Sequence, residues 1–83
     1  MQQYFENRRL ISIEDIQNTK EKFENVIIAN ERIDKKWSSQ NYVINNSTFA
    51  KIGFREARFL NDDLRFNVFI DCYFKKAHFE GVN

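Results

Sequence analysis

Over the second half of the chain a large apolar residue recurs every five positions. Ile44, Phe49, Phe54, Phe59, Leu64, Phe69, Phe74 and Phe79 keep one phase without interruption. On a helix, each step of five turns the side chain about 140° further round, so these residues would spread over the whole cylinder. On a flat strand, side chains alternate faces, so half of the Phe residues would point into water. A chain that bends by a quarter turn every five residues resolves the conflict, because every fifth side chain then points to a common axis. Four such sides form a square coil of about twenty residues, and coils stack at the strand spacing of roughly 4.8 Å. A short fixed period of this kind predicts an all-β solenoid with Ile44, Phe49, Phe54, Phe59, Leu64, Phe69, Phe74 and Phe79 as its core.

The position two before each centre should also face inward, at a corner where space is tight. From Ser47 onward it reads Ser47, Ile52, Ala57, Asp62, Asn67, Cys72 and Ala77, and five of these seven are small. Together the two patterns resemble the pentapeptide-repeat family, in its Phe-rich form, over about residues 47–81. The resemblance implies a right-handed quadrilateral β-helix, here of about two coils over 44–83, and a bacterial, cytoplasmic setting. Tyr42 breaks the small-residue rule, which places the start of regular repeats near Ser47 with Ile44 in a transitional turn.

Residues 1–43 are read as an N-terminal cap. Ser12 followed by Asp15 has the form of a helix start, and Ile13, Ile16, Lys20, Phe23 and Ile27 follow helical spacing. The first choice is a helix over about 13–25 whose apolar stripe covers the open end of the solenoid. The rival reading makes Phe23, Ile28 and Ile33 an early coil, again at steps of five, but it puts Glu21 and Glu31 at tight corners. Val26-Ile27-Ile28 and Tyr42-Val43-Ile44 are short enough for strands, paired as a lead-in. Asn30 to Gln40 reads as a loop or hairpin arm, with Trp37 packed on the first coil. At the other end, the next centre would fall at residue 84. The repeat is therefore expected either to continue beyond Asn83 or to stack its open C-terminal coil on another chain.

Composition narrows the function classes. A formal net charge of +1 gives no push toward nucleic acid or membrane. No apolar run approaches membrane-spanning length, and the first residues lack a signal peptide's apolar region. Stacking at twenty residues sets Lys51 against Asp71 and Glu56 against Lys76, with Arg55 and Lys75 as a like-charge pair. Candidates for chemistry are few. His78 reads as a solvated surface histidine beside Arg58. Cys72 reads as an inert interior thiol with no base beside it. Asp62 reads as a corner carboxylate that accepts backbone N–H bonds, and Asp62-Asp63 as no metal pair. No catalytic, cofactor or metal site is expected.

The reading that remains is a non-catalytic interaction scaffold whose contact patch is Phe66, Val68 and Ile70, all at outward positions on one corner. Its partner would be a protein or a second copy through the open coil. Some pentapeptide-repeat proteins bind DNA gyrase by imitating duplex DNA, so the resemblance offers a gyrase or topoisomerase ligand as an alternative. Residues 44–83, however, hold six basic and five acidic side chains rather than an acidic surface. A spacer or oligomerisation module of a larger polypeptide is the third reading, and direct nucleic-acid binding is disfavoured because few aromatic residues accompany the basic ones.

Overall fold

The computed structural model describes residues 7–19 and 22–83. Within them the strands are β1 (Arg9–Leu10), β2 (Lys22–Glu24), β3 (Val26–Ala29), β4 (Ser38–Gln40), β5 (Val43–Asn45), β6 (Thr48–Ala50), β7 (Arg58–Leu60), β8 (Val68–Ile70) and β9 (His78–Glu80). A single α-helix, α1 (Ile13–Thr19), and one 3₁₀ turn, Asp34–Lys36, complete the inventory of the described residues, and the class is all-β. Every strand pairing is parallel, in three sheets ordered β1-β3-β6-β8, β2-β5 and β4-β7-β9.

The register shows why the five-residue spacing works. Phe49 pairs with Phe69 and Phe59 with Phe79, each twenty residues on. The isolated bridge between Gly53 and Tyr73 keeps the same offset. Corners are made by one residue in the left-handed region, two places after each centre. From Asn41 to Gly81 every fifth residue has φ between +50° and +66°. Side chains of the same phase therefore lie over one another. The ring pairs Phe49–Phe69, Phe54–Phe74 and Phe59–Phe79 stack at 4.7, 5.1 and 4.5 Å between centroids, which is the strand spacing read through aromatic rings.

The ladder extends further back than the sequence suggests. Phe23 pairs with Ile44 and Ile28 with Phe49, both twenty-one residues on. The helix expected over 13–25 is present as Ile13–Thr19, Phe23 lies in β2 instead, and the strand expected at Val26-Ile27-Ile28 forms as part of β3. Phe23, Ile28 and Ile33 are buried inward centres, as in the rival reading. Glu31 fits its corner because its carboxylate leaves the interior to accept the Ile13 N–H at 2.9 Å, at the start of α1. Lys20 and Glu21 lie outside the described residues. The helix start itself forms as read: Asp15 N–H donates to Ser12 Oγ at 3.1 Å and Ser12 N–H to Asp15 Oδ2 at 3.0 Å, a reciprocal cap. The strands at 26–28 and 43–44 do not pair with each other; β3 lies between β1 and β6, and β5 pairs with β2.

Asn30 to Gln40 is not a free arm. Arg32 bridges Gly53 at an offset of twenty-one, whereas Ser38 pairs with Arg58 at twenty. The extra residue is absorbed in the Asp34–Lys36 turn between them. Here the size rule is inverted. Trp37 takes the corner position that Ala57 takes one layer on, and the small Ser39 takes the centre beneath Phe59. Trp37 is buried among Tyr42, Phe54 and Phe59, each ring centroid 5.6 Å away. Ile11, Ile13 and Ile16 join the same apolar cluster from the side of α1.

Candidate functional site

Side chains at the inward corners tie one layer to the last. Asp62 Oδ1 accepts the Tyr42 N–H at 2.8 Å, Asn67 Oδ1 accepts the Ser47 N–H at 2.9 Å, and Ser47 Oγ accepts the Val26 N–H at 3.1 Å. The reading of Asp62 as a corner acceptor matches this geometry. Asp62 is 1% exposed and also receives the Ser39 hydroxyl, which in turn accepts Trp37 Nε1–H at 3.0 Å. Burial pushes its carboxyl above the ordinary value, and the Ser39 and Tyr42 donors oppose that shift only in part. Asp63, the next residue, faces outward. Arg65 at 2.9 Å and Asn45 at 3.0 Å hold its carboxyl well below the usual range. Adjacent carboxyls thus sit on opposite sides of the wall.

The other candidates are dispersed. Cys72 is half-buried, its Sγ lies 3.3 Å from the Phe49 carbonyl oxygen, and burial raises its pKa, so the thiol is not activated. His78 pairs with Glu80, at 3.2 Å on the exposed side of β9. Among the described residues no three His, Cys, Asp or Glu side chains gather into a group that could hold a metal ion. Neither Lys51–Asp71 nor Glu56–Lys76 is among the ion pairs of the described residues. Short-range pairs form instead, such as Asp63–Arg65 at 2.9 Å and Arg55–Glu56 at 3.6 Å.

The surface of the β3–β6–β8 sheet stands apart. Phe66 occupies the left-handed corner that leads into β8, with φ +66°, and is 79% exposed. A bulky residue in this region carries strain. Val68 and Ile70 flank the inward Phe69 and are half-buried on the outer side. Register places Thr48 and Ala50 beside them on β6, and Ile27 and Ala29 on β3. None of these six residues is charged, and Thr48 is fully buried, so the middle of this face is covered and not open to solvent. The outer positions of the β2–β5 pair and of the β4–β7–β9 sheet include Lys22, Glu24, Arg58, His78 and Glu80.

Round the next corner from Ile70 lies an open trough of about 470 Å³, with Lys51, Ile52, Gly53, Asp71, Tyr73 and Arg32 in its walls. Gly53 deepens it for a structural reason. A Cβ there would come within 3.0 Å of Asp34 Oδ1, and that oxygen accepts the Arg55 N–H at 3.0 Å. Sequence reasoning reached Phe66, Val68 and Ile70 and missed Ile27, Ala29 and the trough. The strand at Val26-Ile27-Ile28 reads as a lead-in rather than as a neighbour of β6, and nothing in a lone Gly53 signals a groove. No family model matches the chain, and neither the curated proteins nor the solved structures contain a significant match.

Proposed function

We propose that the chain is a pentapeptide-repeat β-helix, four-sided and right-handed, acting as a non-catalytic scaffold for protein contact. Support for the repeat reading is the twenty-residue parallel ladder with a left-handed corner at every fifth residue. The observation that carries the functional reading is Phe66. It keeps a strained backbone and a 79% exposed ring beside the uncharged outer positions Val68 and Ile70. Strain and apolar exposure both cost stability, and contact energy from an aromatic anchor offsets such costs. Burial and a raised pKa at Cys72 favour a role without thiol chemistry.

A double variant, Phe66→Ser with Ile70→Ser, tests the reading. Circular dichroism should show the strand signal retained, and proteins captured by the immobilised wild-type chain should be lost. An unchanged set of captured proteins would remove the contact patch. A second reading rests on the last layer, where Phe69 is 38% and Phe79 50% exposed. A further coil, from the same polypeptide or another copy, would continue those ring columns.

A further inference from the structure

We infer that the wall carrying Gly53, Arg55, Tyr73 and Lys75 binds an extended segment of a partner protein in which an aromatic residue and an acidic residue stand two apart. This contact rests on the scaffold reading for its partner being a protein, and adds to the Phe66 patch a second surface with its own chemistry. Three features carry it: the trough, a pair of like charges beside it, and the uneven spread of charge over the chain.

This wall follows β8 and turns away from it at Asp71. Arg32, Gly53 and Tyr73 stand in register across three layers, and all three line the trough. Gly53 keeps its middle low, since a Cβ there would meet Asp34 Oδ1 at 3.0 Å and Arg32 Cγ at 3.1 Å. The space of about 470 Å³ takes one phenyl or phenol ring. Tyr73, 52% exposed, gives that ring an aromatic surface to pack on. Unlike the β3–β6–β8 face, this wall is open: Arg32, Arg55, Tyr73 and Lys75 are all exposed.

Two residues past Gly53 and Tyr73 stand Arg55 and Lys75. They keep the offset of twenty at which Phe54 stacks on Phe74, so their backbones lie roughly 4.8 Å apart along the stack. Like charges side by side in this way repel, and an anion between them removes the repulsion. The carboxylates nearby are engaged elsewhere. Asp34 accepts the Arg55 N–H at 3.0 Å and Arg32 Nε at 3.1 Å, and Glu31 accepts the Ile13 N–H. Glu56 pairs with Arg55, at 3.6 Å, and Lys75 enters none of the ion pairs of the described residues. Residues 30–36, 51–56 and 71–76, the wall with its two corners, hold seven basic and four acidic side chains, against six and eight in the rest of the chain. An acidic partner is therefore drawn to this side. Asp71 lines the trough, which repels a carboxylate from that end and favours the Arg55–Lys75 end. The two ends are two residues apart, roughly 6.5 Å of extended chain, and side chains two apart on an extended segment share one face at that spacing. Tyr73 is the one exposed ring of this wall among the described residues, whereas a nucleic-acid strand needs a ring for each of several bases.

Chemical-shift titration of the isotope-labelled full chain with the peptide acetyl-Phe-Ser-Glu-Glu-amide tests this. One ring and one exposed ion pair should give a Kd on the order of 0.1–1 mM, with the largest shifts at Gly53, Arg55, Tyr73 and Lys75. Ala in place of the peptide's Phe should weaken binding at least about fivefold. Lys75→Glu, at an exposed site, should weaken the acidic peptide about threefold to fivefold and strengthen acetyl-Phe-Ser-Lys-Lys-amide by a similar factor, a reversal that a merely structural change would not produce. No shift at about 5 mM peptide, shifts indifferent to loss of the ring, or a Lys75→Glu chain that treats both peptides as wild type does each overturns the inference. So does a short single-stranded thymidine oligonucleotide that shifts the same amides at lower concentration than the peptide. Phe66→Ser with Ile70→Ser should leave the titration unchanged, and a titration abolished by it would place the peptide on the Phe66 patch and overturn this second surface. If that variant loses its captured proteins while the wild-type chain ignores the peptide, the scaffold reading stands and this surface falls.

Discussion

Replacing Phe66 by Asn should stabilise the monomer, although it deletes a large apolar side chain. Left-handed backbone costs a residue with a Cβ roughly 1–2 kcal/mol, and Asn relieves part of this by local hydrogen bonding. The loss on the other side is small. Phe66 is 79% exposed, so only about a fifth of a full burial worth roughly 2.5 kcal/mol is forfeited, near 0.5 kcal/mol. The corner column adds a gain of its own. Asn46 Nδ2 donates to Asn25 Oδ1 at 2.6 Å, from one layer to the previous one, and Asn at 66 extends that amide ladder by a rung. An exposed hydrogen bond contributes about 0.5 kcal/mol. The net gain is about 1 kcal/mol, or some 4–8 °C in Tm for a domain of this size. Urea unfolding of the purified chain at about 1 µM, followed by circular dichroism, measures the difference. A loss of more than about 1 kcal/mol would refute the reasoning, because Phe66 would then be held by contacts within its own chain.

Asp62 and Asp63 give opposite pH dependences. Burial raises the folded-state pKa of Asp62 above its ordinary 3.8, so its contribution is fully present below that value and falls as pH rises through the folded pKa. Asp63, held low by Arg65 and Asn45, contributes above its ordinary pKa and loses that contribution in acid. Asp62→Asn keeps an acceptor for the Tyr42 N–H and leaves Ser39 free to donate to the Arg58 carbonyl. Urea titrations should show that this variant gains on wild type as pH rises from 4 to 7; a pH-independent difference would contradict the assignment. Trp37→Ala should cost about 3–5 kcal/mol in the same assay, and a cost below about 2 kcal/mol would mean that the ring cluster closes over the gap. Gly53→Ala should cost about 1–2 kcal/mol by driving the Asp34 carboxylate off the Arg55 N–H. Adding Asp34→Ala should recover much of that loss, and additive losses would show that the clash lies elsewhere.

The earliest strands of the ladder show why part of this fold escaped a reading of the sequence. Carried backward from Ile44, the five-residue phase falls on Ser39, Asp34 and Ala29, none of them a large apolar residue. It does not end; it slips by one residue at the Asp34–Lys36 turn and resumes as Ile33, Ile28 and Phe23. Another signal was present. Asn25, Asn30, Asn41, Asn46 and Asn61 all occupy left-handed corners two places after a centre, where Asn is among the few residues at ease. That phase crosses the slip, and it would have favoured the early coil over a longer helix. Glu31 misled because its reach to the Ile13 N–H depends on where α1 docks.

The sequence by itself determined the period, the column of rings from Ile44 to Phe79 and the inward corner of Asp62. These follow from local geometry, since one bend every five residues sends the same positions inward. Tertiary structure alone decided what depends on residues about twenty or more apart meeting in adjacent layers. The exchange of size between Trp37 and Ser39 works only because Tyr42, Phe54 and Phe59 close round the indole. The uncharged outer face joins Ile27 and Ala29 to Val68 and Ile70 through two ladders. The trough beside it opens where Gly53 makes room for a carboxylate from the preceding layer. No local period encodes such meetings, because they are set by the stacking register and not by the bend.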